Sequence, residues 1–392
     1  MLWGFVDEDS KTAPQRIRSL DFLKGFAILA ILAVHLFVAS TQEARGDSDG
    51  SGMPVIVQAL YLGLMGFFVI SGYFFRPGRG FVNNVKKRLL VAGAAYLAVS
   101  AILPLILCLE MVIVGDNVPT MKDYIAALQW TIGTPELFGP YDAKLYYGNC
   151  AVSMGHYFIQ AMLVSFVLFY AIADHIVTDW RKTVAVVVVL IFIQFLLGTF
   201  YPYVLPFHAH MVPLATAFML LGALAGRYQM VEKREFGGWK TGKWICISLA
   251  SLAIGIVICY FFPPGTAFNE TSFGEHGAYS IFPFFISACF ILVGEVFICI
   301  LLSKIPYFSS AFIYLGKHTL SLLLMQCFTV KMLLIPFYEI PTNMWFPETE
   351  IGVKLALLAA SIAIPIIVSN LVVKHLKPWI KKVFGGYPEA PI

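Results

Sequence analysis

The sequence predicts an all-α polytopic integral membrane protein with about ten transmembrane helices, and three observations support this prediction. Of the 392 residues, 59% are hydrophobic and only 13% are charged, whereas a soluble domain carries about 25% charged residues. Ten apolar runs are long enough to cross a bilayer, which takes about 20 residues. Basic residues are concentrated in alternate segments between these runs, as the positive-inside rule predicts.

The predicted helices follow one another along nearly the whole chain. Their approximate bounds are 22–41, 54–75, 89–113, 157–174, 183–201, 205–226, 244–262, 279–302, 310–337 and 353–374. The first is predicted to be a permanent helix, because no small-residue cleavage site of a signal peptide follows it. We therefore expect an N-terminal segment 1–21, a transmembrane domain 22–376 and a tail 377–392.

The distribution of Lys and Arg sets the predicted topology. If the N-terminus is cytoplasmic, every inner segment is basic, and the outer segments contain only Arg45, Lys122, Lys144 and Lys354. Both termini are therefore expected in the cytoplasm. The seven cysteines form no disulfide pattern. Together with the absence of a signal peptide, this favours a bacterial cytoplasmic membrane as the location.

The longest predicted outer segment runs from about residue 114 to 156 and is rich in aromatic and acidic residues. Long loops in compact proteins are often functional. The residues on this side that could contact a polar substrate are Glu136, Asp142, His156, His208 and His210. Histidines at a membrane interface are also common without any function. Each of these three histidines is therefore either a substrate contact or an ordinary interfacial residue.

Ionisable side chains within a bilayer are costly, so each is a candidate site. His35 lies eleven residues after Lys24, which places both side chains on one helix face about 16 Å apart. Asp21 precedes Lys24 by three residues and can pair with it on that face. This spacing predicts that the imidazole lies near mid-membrane, on the same helix face as a charge pair at the cytoplasmic boundary. A histidine that hydrogen-bonds a neighbouring helix fits the same spacing.

The second predicted helix contains the small residues Gly63, Gly66, Ser71 and Gly72. Small residues allow a neighbouring backbone to approach closely. Ser71 can bond to its own helix or donate across an interface. Helix packing and a ligand site therefore both fit this segment.

These segments together resemble the membrane acyltransferase family called acyltransferase 3. The stretch 16–25, Arg-Ile-Arg-Ser-Leu-Asp-Phe-Leu-Lys-Gly, followed by His35, is similar to the opening of that family. The stretch 67–73, Phe-Phe-Val-Ile-Ser-Gly-Tyr, is similar to its second-helix signature. The stretch 315–321, Leu-Gly-Lys-His-Thr-Leu-Ser, resembles its late motif. About ten helices with cytoplasmic ends is also the architecture of the family.

The resemblance implies transfer of an acyl group, usually acetyl, from a cytosolic acyl-CoA such as acetyl-CoA to a hydroxyl of an exported or cell-surface glycan. His35 is then the catalytic histidine, acting as a general base or as a covalent acyl carrier. Lys24 and Arg88 are expected to bind the donor. The supporting residues are Arg16, Asp21 and Ser71. The expected partners are acyl-CoA, the glycan or lipid-linked sugar and membrane lipids, with no bound cofactor, metal or nucleic acid.

The chain also departs from the family pattern. Lys24 stands where an arginine is usual, which keeps the charge but loses the bidentate fork. Arg88 belongs to an Arg-x-x-Arg pair whose second member is replaced by Val91. Gln326 stands where a late histidine is often found. These differences are compatible with another donor, such as a succinyl thioester, with another acceptor, or with lost activity.

Two other functions fit a protein of this architecture. A transporter or flippase of a lipid-linked sugar or small solute is one, although the paired halves typical of transporters are not visible in the sequence. A non-catalytic partner in an envelope-glycan export system is the other. That protein would keep its biological activity after His35→Ala.

Overall fold

The computed structural model describes residues 17–34, 55–97, 99–100, 102, 120–121, 156–200, 205–235, 241–262, 279–325 and 351–383. Throughout these ranges the chain forms helices joined by turns, without any strand. The all-α prediction is therefore confirmed for them. Five of the described helices are long and apolar enough to cross a membrane. The ten-span topology and the cytoplasmic location of both ends stay predictions.

The described residues up to 88 form four helices: α1 (Arg18–Val34), α2 (Val55–Leu62), α3 (Gly66–Tyr73) and α4 (Phe81–Arg88). A 3-10 turn at Gly63–Met65 joins α2 to α3, so the second predicted span contains a locally tightened segment. A π-helical stretch, Leu89–Gly93, follows α4 directly. Such stretches are rare and are frequently found at functional sites.

The remaining helices follow in the order expected from the apolar runs. They are α5 (His156–Ile176), α6 (Trp180–Phe200), α7 (Val212–Arg227), α8 (Glu232–Glu235), α9 (Thr241–Phe261), α10 (Ile281–Leu302), α11 (Phe308–Lys317) and α12 (Ile351–Val383). A 3-10 segment at Pro206–Met211 precedes α7. Helices α5, α6, α9 and α10 and the unit 206–227 provide the five candidate spans.

Two helix boundaries differ from the sequence-based prediction. The predicted span 310–337 is interrupted at His318, whose N–H bonds the carbonyl of Leu315 in a tight turn, and helix resumes over 319–325. The last helix continues to Val383, although the apolar run ends near 374. Its 33 residues make about 50 Å of helix, which exceeds a hydrocarbon core of about 30 Å. The apolar run ends where the lysines begin, but lysine is a good helix former, so the helix continues beyond the run.

Close glycine contacts and buried aromatic rings hold the bundle together. A Cβ at Gly72 of α3 would collide with the carbonyl oxygen of Met219 in α7, and a Cβ at Gly222 would collide with that of Val69. These two helices therefore meet backbone to backbone. The largest fully buried side chains include Phe22, Phe67, Phe68, Phe158, Phe166, Phe169, Phe218 and Phe284.

Candidate functional site

The first motif places a charge pair inside the protein. The Lys24 ammonium lies 2.6 Å from a carboxylate oxygen of Asp21, and the two residues are only 4% and 7% exposed. The pairing predicted from their three-residue spacing is therefore present. Removing one partner of such a buried pair leaves an uncompensated charge, which is strongly destabilising. The ammonium group of Lys24 is therefore held beside Asp21 on α1.

The late motif packs directly on the first motif. A Cβ at Gly25 would collide with the carbonyl oxygen of Phe312, and a Cβ at Gly316 would collide with that of Asp21. The rings of Phe22 and Phe312 lie 4.7 Å apart beside this contact. Helix α11 therefore fixes the backbone of α1 at the residue that carries the carboxylate of the charge pair.

The residues of the second motif pack within the protein, and their side-chain hydroxyls form hydrogen bonds to other groups of the chain. The Ser71 hydroxyl donates to the carbonyl of Phe67 in its own helix, at 2.5 Å, and Ser71 is buried. At the end of the motif, the Tyr73 hydroxyl bonds the Glu232 carboxylate and accepts the N–H of Val231 at 3.1 Å. This tyrosine anchors α3 to the segment after α7, and it was missed in the sequence because its partner lies 159 residues away.

Arg88 is held at the junction between α4 and the π-helical stretch. Its Nε atom donates to the Tyr170 hydroxyl at 3.2 Å, and its guanidinium carbon lies 5.4 Å from the centre of the Phe166 ring. This distance is within the range of a cation–π interaction. Helix α5 therefore positions the predicted donor-binding arginine through two aromatic residues that the sequence analysis did not select.

A second polar group, hereafter the tyrosine–histidine cluster, consists of Tyr96, Gln160, His208 and His210. The Gln160 amide donates to the Tyr96 hydroxyl at 2.8 Å, and its oxygen lies 2.7 Å from Nδ1 of His208. The rings of His208 and His210 are 5.5 Å apart. Tyr96, Gln160 and His210 are buried, and His208 is half-buried. Three separate chain segments thus bring polar side chains together within an apolar bundle.

The backbone that presents this cluster is strained. Phe207 and His208 have positive φ angles of 55° and 52°. Left-handed conformations in non-glycine residues cost about 1–3 kcal/mol each and persist only where the surroundings enforce them. His208 is both a strained residue and the one that contacts Gln160. The surrounding structure therefore holds His208 in a backbone conformation that a non-glycine residue disfavours.

Glu295 is a buried acid with an incomplete set of partners. It is 7% exposed, and its Oε2 atom has no hydrogen-bond partner among the described residues. A Cβ at Gly63 would lie 2.8 Å from the other carboxylate oxygen. The absence of a side chain at Gly63 in the 3-10 turn therefore provides the space for this carboxylate. Glu295 also borders an apolar cavity that Phe22, Phe26 and Cys299 line.

Several predicted site residues lie outside the described residues: Arg16, His35, Glu136 and Asp142. His156 is the first residue of α5, and only its backbone is described. Within the described ranges, no group of three or more His, Cys, Asp and Glu residues could hold a metal ion. The structure thus packs the first motif against the late motif, and it packs Arg88 of α4 against α5.

Comparison with known proteins adds one finding. A protein-family model described as an acyltransferase domain matches residues 17–370 of this chain. The matched range includes the junction at Arg88, the tyrosine–histidine cluster and all three motifs except Arg16. No curated protein and no solved structure gives a significant match.

Proposed function

Because this chain belongs to the acyltransferase 3 family, we propose that it is a membrane-embedded O-acyltransferase of exported or cell-surface glycans. The proposed donor is a cytosolic acyl-CoA, with acetyl as the acyl group, and the acceptor is a glycan or lipid-linked sugar hydroxyl. The proposed location is a bacterial cytoplasmic membrane with both chain termini in the cytoplasm. The observation that carries the proposal is the direct packing of the first motif on the late motif at Gly25 and Gly316.

The donor side of the proposed site uses cations whose positions are fixed. Lys24 is paired with Asp21 on α1, and Arg88 is held by Tyr170 and Phe166 of α5. In the proposed orientation both cations lie towards the cytoplasm. Fixed positive charge attracts the phosphates of coenzyme A and raises their local concentration. Arg16 is proposed to add to this charge, and Ser71 supports the site through the conformation of α3.

His35 is proposed to carry out the proton transfer. It follows Val34, the last residue of α1, and comes eleven residues after Lys24 in the sequence. As a general base it accepts the proton of the acceptor hydroxyl while that oxygen attacks the thioester carbonyl carbon. The carbon–sulfur bond then breaks, and the coenzyme A thiolate takes up a proton. As an acyl carrier, His35 would first accept the acyl group itself.

The acceptor is proposed to reach His35 from the opposite side of the membrane. His156 at the start of α5 is proposed to contact it, together with Glu136 and Asp142 of the predicted outer segment. Membrane lipids surround the protein, and nucleic acid has no part in this function. The family match supports acyl transfer, and these residue assignments extend it.

Mass spectrometry of surface and secreted glycans provides the test. Intact cells would express wild type, His35→Ala or His175→Ala at matched membrane abundance, beside a deletion strain. His175 is an exposed histidine near the end of α5 and serves as the control. We expect an ester increment with wild type and His175→Ala, and none with His35→Ala or the deletion strain.

The two contrary results have separate meanings. If wild type and the deletion strain have the same glycans, glycan acylation is wrong, and transport of a lipid-linked sugar becomes the function to test. If the ester persists in His35→Ala, the acyltransferase assignment stands but His35 is not its central residue.

A further inference from the structure

The apolar cavity beside Glu295 lies between four helices. Its volume is about 190 Å³, and its described lining residues belong to α1, α2, α9 and α10. We propose that this cavity binds a neutral membrane lipid that carries a free hydroxyl group at the end of a hydrocarbon chain, and that this hydroxyl donates a hydrogen bond to Glu295. The inference goes beyond the proposed acyl transfer and does not depend on it.

The carboxyl group of Glu295 gives the cavity its chemical character. The residue is more than nine-tenths buried, and its Oε2 atom has no hydrogen-bond partner among the described residues. Helix α10, which carries it, is a candidate membrane span. An ionisable residue at such a position is costly and normally has a partner. A ligand that donates a hydrogen bond would supply what the described part of the chain does not.

The other described lining residues exclude a strongly polar headgroup. Apart from Glu295 and Cys299, all of them have hydrocarbon side chains. An ammonium group has three donors, and the lining offers one carboxyl group to accept them. A phosphate carries negative charge, and no lysine, arginine or histidine lines the cavity to meet it. A hydroxyl needs one acceptor for its proton, and a carboxyl group can accept in either protonation state.

The turn at Gly63 fixes the position of the carboxyl group. A Cβ at Gly63 would lie 2.8 Å from one carboxylate oxygen and 3.0 Å from the other. A side chain at this position would therefore displace the carboxyl group. Glu295 thus contacts the backbone of the 3-10 turn and also lines the cavity, which leaves the ligand as the additional partner.

The cavity reaches the surface of the bundle at Ile56, from which a lipid can enter. Ile56 lines the cavity and is nevertheless 67% exposed. Exposed apolar surface of a membrane protein contacts the hydrocarbon of the bilayer. An apolar cavity of about 150 Å³ takes up benzene, so this cavity has room for a short chain segment next to the hydroxyl. The rest of the chain would extend past Ile56 into the bilayer.

Substitutions can test the acceptor and the space separately. Glu295→Met removes the acceptor together with a buried unpaired atom, so we expect a folded protein. Glu295→Gln keeps one acceptor oxygen. Ala59→Phe adds a ring at a buried lining position and should fill the cavity. Val257→Phe adds similar bulk at an exposed position of α9 that does not line the cavity, and it is the matched control.

The experiment uses a hexadecanol probe with a photoreactive diazirine near its hydroxyl end. Its methyl ether keeps the chain and the oxygen but lacks the donor. Full-length protein purified in detergent is irradiated with each probe, and labelled peptides are identified by mass spectrometry. In wild type we expect the alcohol to label α2, α9 and α10 about two- to tenfold more than the ether, the range for one hydrogen bond.

The variants should differ in a set order. In Glu295→Met, labelling by the alcohol should fall to the level of the ether, and Glu295→Gln should lie between this variant and wild type. Ala59→Phe should lose labelling by both probes, and Val257→Phe should match wild type. The unfolding temperature of each protein shows whether it is folded. If Glu295→Met does not fold, the comparison of the two probes in wild type and the loss in Ala59→Phe decide the matter.

Three results would overturn the lipid site. Equal labelling by the alcohol and the ether in wild type would show that any hydrocarbon chain occupies the cavity. Unchanged labelling by the alcohol in folded Glu295→Met would exclude the carboxyl group as its partner. Displacement of the probe by decanoyl-CoA but not by unlabelled hexadecanol would assign the cavity to the acyl chain of a thioester. None of these measurements requires an ester on a glycan, so failure of the proposed function is a separate result.

Discussion

Gly25 in α1 and Gly316 in α11 face each other so closely that neither position has room for a side chain. A Cβ at Gly25 would lie 3.0 Å from the backbone nitrogen of Gly316, and a Cβ at Gly316 would lie 3.3 Å from that of Gly25. The same two atoms would collide with the carbonyl oxygens of Phe312 and Asp21. Because backbone atoms cannot rotate away, this contact sets the distance between the first and late motifs.

Gly316→Ala is therefore expected to destabilise the protein. Inserting a methyl group into a close-packed contact costs about 1–3 kcal/mol, and here the whole helix must move. Thermal unfolding of the purified protein measures the loss. Gly352→Ala, at an α12 position with open space around it, is the matched control and should be neutral or stabilising. Equal unfolding temperatures for both variants and wild type would contradict the contact.

The buried Asp21–Lys24 pair predicts strong coupling in a double-mutant cycle. Asp21→Asn or Lys24→Met alone should lower the free energy of unfolding by about 3–5 kcal/mol, because each removes the opposite charge from beside a buried ion. The double variant should lose less than the sum of the two, with a coupling of about 0.5–3 kcal/mol. Denaturant unfolding measures all four proteins. Additive losses would show that the two charges do not stabilise each other.

The contacts of Arg88 predict graded effects on donor affinity. Arg88→Gln removes the proposed phosphate-binding charge and should weaken acetyl-CoA binding at least tenfold. Tyr170→Phe removes one hydrogen bond that positions this arginine, which is worth about 0.5–1.5 kcal/mol, and should weaken binding about two- to tenfold. Titration with acetyl-CoA measures both. Unchanged affinity in Arg88→Gln would exclude this residue from the donor site.

Glu295 predicts a stabilising substitution. A buried polar atom without a partner costs about 1–3 kcal/mol, so Glu295→Met should raise the unfolding temperature. Glu295→Gln keeps an unsatisfied polar atom and should gain less. Both proteins would be compared with wild type by thermal unfolding in the same detergent. If Glu295→Met is instead less stable, the carboxylate has a partner beyond the described residues.

Hydropathy predicts the described helices well because long apolar runs leave few alternatives, as the agreement between 183–201 and Trp180–Phe200 shows. It does not predict the turn at Gly63–Met65, the π-helical stretch Leu89–Gly93 or the break at His318. These three features differ from an α-helix mainly in their backbone hydrogen bonds. They lie within runs that are apolar on average, so hydropathy does not detect the difference. The close contact between Gly63 and the carboxylate of Glu295 likewise joins two helices that are far apart in the sequence.

The candidate site was predictable where its contacts are local. The Asp21–Lys24 pair follows from a three-residue spacing on one helix. Gln160 was missed because a search for ionisable residues passes over a neutral amide. Its position in an apolar run was nevertheless a signal, since a buried amide requires hydrogen-bond partners. The identity of those partners, Tyr96 and His208, depends on tertiary packing alone.

The contact between α1 and α11 also has a consequence for biosynthesis. Gly25 and Gly316 are separated by 291 residues of chain. At about 5–20 residues per second, roughly 15–60 s pass between their synthesis. Throughout that interval α1 carries Asp21 and Lys24 without the helix that packs on its backbone. The Asp21–Lys24 pair therefore has to persist without its packing partner until the late motif emerges from the ribosome.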